Sequence, residues 1–211
     1  MKKIYFILIA AAAMFFATEA RAQIGVEVGY SLTDHAVKAL VDEGVDMLDG
    51  FYLGVNYDMN FLENDKGAFG LQTGIRFSYS IMQEVEQLLG IVTRASLNES
   101  YLDLPVFAKY SYDLRSLTLS AFAGPVFSCG LTSESKVSIN DKLVSHLNNY
   151  EKDSVYGRFD LKIGLGIGAT FNDRISAKVG YNIGMLNRYT GNIDSASLRT
   201  GVFYAGMGFT F

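Results

Sequence analysis

The residues able to do acid–base, nucleophilic or metal chemistry are few and poorly spaced for it. The chain has two histidines, His35 and His146, and one cysteine, Cys129. A hydroxyl nucleophile needs a base within hydrogen-bond reach. Ser145 precedes His146 directly, but adjacent residues seldom face each other productively, and both histidines read as solvated residues of outside loops. Two distant histidines and one cysteine do not make a zinc set. Gly164, Gly166 and Gly168 do not lead into a helix, as a phosphate-binding loop must. Asn98-Glu99-Ser100 matches a glycosylation sequon, which carries little in a bacterial-looking export context. We therefore assign no catalytic, cofactor or metal residue. The remaining chemistry is ionic. Glu27, Asp58, Arg76, Asp103, Lys109, Arg158, Asp160, Lys162 and Lys178 are close to charge balance. All of them fall on the polar parity of segments that alternate polar with apolar residues.

Those segments must position the charges. Period-2 alternation marks a strand with one apolar face, and eight stretches show it. They are QIGVEVGYSL, FYLGVNYDMNF, FGLQTGIRFSYS, YLDLPVFAKYSY, LTLSAFAGPVFS, GRFDLKIGLGIGATF, RISAKVGYNIGML and SLRTGVFYAGMGFTF. In the sixth, Phe159, Leu161, Ile163, Leu165, Ile167, Ala169 and Phe171 alternate with Arg158, Asp160, Lys162, Gly164, Gly166, Gly168 and Thr170. Most run ten residues or more, against a globular mode of roughly 5–6. A tilted strand crossing a membrane needs about 9–11.

The N-terminus has the form of a secretory signal peptide: Lys2 and Lys3, an apolar run, then Ala20-Arg21-Ala22. Residues 1–22 are read as cleaved, leaving 23–211 as one domain. The whole chain is 49% hydrophobic with a mean hydropathy of +0.17, yet that domain has no stretch long enough for a membrane helix. Its apolar groups must be placed by alternation. A net charge of −4 argues against a nucleic-acid partner.

The connections alternate long and short. Residues 33–50, 81–100, 130–156 and 187–196 are long, whereas 62–68, 113–116 and 172–173 are short. This rhythm predicts an all-β, eight-stranded antiparallel up-and-down transmembrane barrel in the cell outer membrane, with short periplasmic turns and long extracellular loops. On the lipid-facing parity, Tyr30, Phe51, Tyr79, Phe127 and Phe159 form an outer aromatic girdle. Phe61, Phe69, Tyr110, Tyr112, Phe171, Phe209 and Phe211 form an inner one.

Eight strands enclose an interior just wide enough for side chains. The nine charges are therefore expected to pair as a lumen plug, with interior glycines making room for Arg76 and Lys109; a gated polar pore is the alternative. The segments AVKALVDEGVDML, from Ala36, and IMQEVEQLLGIV, from Ile81, have helical spacing and read as short amphipathic helices on the rim. Pro105 and Pro125 each remove a ladder donor; a bulge could accommodate either, and would flip side-chain parity beyond it.

Leu102-Asp103-Leu104-Pro105-Val106-Phe107-Ala108-Lys109-Tyr110 resembles the L-x-x-P-x-x-x-K-Y stretch of the PorT-like outer-membrane β-barrel family. The resemblance continues through Ala123-Gly124-Pro125 and Phe159-Asp160-Leu161, and spans essentially the mature chain. Most such proteins look like barrels of unassigned role, and one namesake is associated with protein secretion. The terminal Phe209 and Phe211 resemble the signal by which barrel assembly machinery recognises its substrates. The expected function is thus a structural or interaction role in the outer membrane. Its expected partners are membrane lipid, the assembly machinery, and an unidentified protein or glycan at the outside loops. A small-solute or gated channel is the first alternative and a lipid-modifying enzyme the second.

Overall fold

Where one face of a strand meets lipid and the other a filled interior, every second residue is committed, and the chain has no reason to leave the extended state until the membrane ends. The computed structural model describes residues 22–38, 47–64, 66–88, 90–140, 142–151, 156–191 and 196–211. The expected signal peptide lies outside these residues except for Ala22.

Nine strands follow in order: β1 (Ala22–Lys38), β2 (Leu48–Asn64), β3 (Gly67–Leu88), β4 (Ile91–Asp113), β5 (Leu117–Ile139), β6 (Lys142–Asn148), β7 (Phe159–Phe171), β8 (Ile175–Gly184) and β9 (Ser197–Thr210). Eight of them pair antiparallel, each with the next, and β9 returns to β1 to close the ring. The ninth, β6, stands outside the ring and folds back on the outer end of β5. Closure leaves no sheet edge in the membrane. At the inner end, Asn172 and Asp173 both have positive φ, 47° and 57°, the left-handed pair of a tight turn in which the Arg174 N–H donates to the Phe171 carbonyl at 3.1 Å.

The outward face is apolar and exposed to the bilayer. Tyr30, Phe51, Phe127 and Phe159 mark its outer level, and Phe61, Phe69, Tyr110, Phe171 and Phe209 its inner level. Aliphatic residues such as Val28, Val55, Ile75, Leu165 and Ile167 lie between them. Met59, on the sequence parity of Val55 and Phe61, is buried.

Neither proline shifts the register. Hydrogen-bonded pairing lapses around Pro105 and Pro125 and resumes in the same register beyond. The Pro105 carbonyl, facing β3, accepts a hydrogen bond from Thr73 Oγ1 at 2.8 Å. The parity change comes elsewhere. Tyr101 pairs with Gly130 and Ser100 with Thr132, so Leu131 is the extra residue of a bulge in β5.

The outer connections also differ from expectation. IMQEVEQLLGIV does not form a helix; β3 and β4 run on as a hairpin and turn at Gly90, whose φ is +81°. Each added pair extends a ladder already begun in the barrel, and this outweighs the local helical spacing. Residues 130–156 contain the end of β5, a turn at Asn140 and β6. In the first connection, Ala36–Lys38 is strand, while 39–46 lie outside the described residues. A strand of 23 residues such as β4 spans about 75 Å at ~3.3 Å per residue, far more than the bilayer core requires. A four-stranded sheet therefore stands out beyond the membrane.

Candidate functional site: the lumen and its outer mouth

The inward parity of β1, β3 and β8 delivers the central charges. Arg76 donates from Nε and Nη2 to Glu27 Oε1 at 3.0 and 2.9 Å, and Lys178 Nζ donates to Glu27 Oε2 at 2.5 Å. The guanidinium carbon also lies 4.4 Å from the ring centre of Tyr52 and 4.5 Å from that of Tyr204. This geometry adds cation–π attraction to the ion pair. Below it, Asp58 accepts from Lys109 at 2.9 Å, Gln72 at 2.8 Å and Asn56 at 3.0 Å. Above it, Asp103 accepts from Ser128 Oγ at 2.5 Å, and Lys162 Nζ reaches the same hydroxyl at 3.2 Å. Asp160 is buried in the field of Lys162 and Arg188.

Eight of the nine charges expected in the lumen thus lie on its wall, and Arg158 does not. It is exposed at the outer mouth, 4.7 Å over the Tyr150 ring, because β7 begins only at Phe159. Two interior glycines, Gly164 and Gly166, make room for rings and not for charged side chains. A Cβ at Gly166 would meet the Phe122 ring at 2.5 Å, and one at Gly164 the Phe107 ring at 2.8 Å. At these two positions the missing side chains admit the aromatic rings of a core formed by Tyr52, Phe107, Phe122, Val126 and Tyr204, whereas the side chain nearest a Cβ at Gly54 is that of Arg76. Between Arg76, Asp103, Lys162 and Asn182 the remaining gap is about 10 Å³, at the lower limit for one water. A polar vestibule of about 260 Å³ opens at the inner end, beside Asp58, Lys109 and Ser111.

A second buried cluster closes the outer mouth. Arg188 donates to Tyr101 and Tyr150 hydroxyls at 2.9 Å, to Thr200 Oγ1 at 3.0 Å and to the Gly157 carbonyl at 3.1 Å. Tyr101 in turn donates to Glu99 Oε2 at 2.8 Å. His35, expected in a solvated loop, is a buried residue of β1 whose Nε2 lies 2.8 Å from that oxygen. Ser133 Oγ donates to Glu99 Oε1 at 2.9 Å. Imidazole and hydroxyl thus both bind the same carboxylate. Burial pushes the Tyr150 hydroxyl pKa up, which keeps it neutral beside Arg188. Farther out, His146 is exposed on β6, 3.4 Å from Glu134. The Lys136 ammonium holds the Glu134 carboxyl below its ordinary range.

Parity could have found part of this cluster. Glu99 and Tyr101 continue the inward positions of β4 beyond Asp103, and His35 continues those of Ser31 and Thr33. Arg188 follows β8 outside any strand and had no such signal. Among the described residues no group of three metal-ligating side chains stands together.

A family model described as outer membrane protein beta-barrel domain matches residues 13–208. No curated protein matches the chain. Among solved structures, Ail, the attachment invasion locus protein of Yersinia pestis, in complex with the heparin analogue sucrose octasulfate, is 17% identical at a TM-score of 0.42, covering 90% of this chain and 99% of its own. Neisserial surface protein A is 14% identical at a TM-score of 0.43, with 90% and 99% covered. The outer membrane protease OmpT from Escherichia coli is 9% identical at 0.44, with 92% and 98% covered.

Proposed function

This chain belongs to the outer membrane protein β-barrel domain family, and from that premise we propose that it is a closed barrel serving a structural or interaction role through its outer sheet. One observation carries this reading. Arg76 is held across the middle of the lumen by Glu27, Tyr52 and Tyr204, next to a gap of about 10 Å³. A hydrated ion has no path through such a packing, and moving Arg76 would strand a buried charge. An enzymatic role is disfavoured because His35, Glu99 and Ser133 are all buried and bound to one another. Planar-bilayer recording tests the closed lumen. The expected trace is flat, and steady ohmic steps would establish a channel instead. A lipid A or phospholipid product that disappears in His35→Ala would establish an enzyme.

Three finer assignments belong to the same proposal. The L-x-x-P-x-x-x-K-Y resemblance supports a PorT-like member of the family. The leader is removed after Ala22 on export, and the chain end carrying Phe209 and Phe211 engages the assembly machinery. N-terminal sequencing of the mature protein tests the cleavage site.

A further inference from the structure

The segments 81–88 of β3, 91–99 of β4 and 131–139 of β5 form, with β6, the sheet that stands beyond the apolar band. Among the described residues both of its edges lack a ladder partner. β2 pairs with β3 only up to Asp49 opposite Ile81, so 82–88 is open on that side. β6 pairs with β5 alone. An open edge is a row of unpaired backbone donors and acceptors that templates another strand. Neither segment contains proline, and both expose apolar side chains: Val85, Leu143 and Leu147 are each 60% exposed or more.

We propose that this sheet joins copies of the protein in the membrane, the β6 edge of one copy pairing with the 82–88 edge of the next. Two features select a second copy and this pair of edges. The first is direction. β3 runs outward and β6 runs back, and copies standing upright in one membrane differ by rotation about its normal. Unlike edges then meet antiparallel, whereas like edges meet parallel. The second is charge. Glu84 and Glu86 lie on the β3 edge, and Lys142 and His146 on the β6 edge. Pairing like edges sets like charges against each other, and pairing unlike edges sets carboxylates against Lys142. Such a contact is head-to-tail and builds a ring or a row.

The proposal rests on the same outward placement of the sheet as the function above. In a Cys129→Ser background, one tagged copy carries Gln83→Cys and a second, differently tagged copy carries His146→Cys. The two are co-expressed, and a short bis-maleimide is applied to intact cells. The expected result is a crosslinked dimer of the mixed pair that neither cysteine gives alone. Glu84→Lys with Glu86→Lys should abolish the band, and Lys142→Glu in the partner copy should restore it. If both cysteines react with an impermeant maleimide but no mixed dimer forms, the contact is wrong while the outward placement stands. If neither reacts from outside, both are wrong. A band formed equally well by either cysteine alone would also overturn the proposed pairing.

Discussion

Arg76 and Glu27, separated by 49 residues in sequence, meet in the middle of the barrel with both side chains almost wholly buried. Each is the other's main compensation for leaving water. Arg76→Leu leaves Glu27 with Lys178 alone, so we expect a loss of about 3–5 kcal/mol. Glu27→Gln, which leaves both Arg76 and Lys178 without their shared carboxylate, should lose at least as much. Urea titration of the heat-modifiable folded band measures both.

On β7 the two faces should respond by different mechanisms. Ile163→Arg places a charge in the lipid and should cost roughly 2–4 kcal/mol. Gly164→Ala adds a methyl against the Phe107 ring and Asn182 Oδ1, an overpacking cost of about 1–3 kcal/mol. At Gly168 the nearest atom is the Ser120 hydroxyl, which can rotate away, so Gly168→Ala should be close to neutral. Equal losses for Gly164→Ala and Gly168→Ala in the same titration would contradict the packed aromatic core.

The orientation has a direct chemical test. In a Cys129→Ser background, a cysteine at Asn148, in β6, should label with an impermeant maleimide in intact cells. A cysteine at Asp113, at the end of β4, should label only after the envelope is opened. The reverse pattern would invert the barrel.

The last strand closes the ring, with Phe209 opposite Val26 on one side and Ile175 on the other. Deleting Phe209, Thr210 and Phe211 removes pairs on both sides and exposes backbone at the membrane edge. We expect folded barrel in outer-membrane fractions to fall sharply, with truncated protein collecting in the periplasm or degraded. A normal folded band from the truncated chain would show the ending to be dispensable.

Within the membrane the sequence by itself determined most of the structure. Lipid on one side and a filled interior on the other commit successive residues to opposite faces. The alternation from Phe159 to Phe171 therefore reads directly as orientation, and Asp58, Arg76 and Asp103 can be placed inside without knowing their partners. Beyond the membrane that constraint ends. Along 82–87 and 91–97 neither face of the chain is buried, so the apolar spacing no longer records which state the backbone adopts, and only continuation of the β3–β4 ladder decides it. Which charges meet was likewise decided by closure of the ring. Glu27 finds Lys178 only because β9 pairs with both β1 and β8 and sets them one strand apart, and His35 finds Glu99 across 64 residues. The bulge at Leu131 belongs to the same class. The missing donors of Pro105 and Pro125 were visible in the sequence, whereas the extra residue at Leu131 shows only in the pairing of β5 with β4.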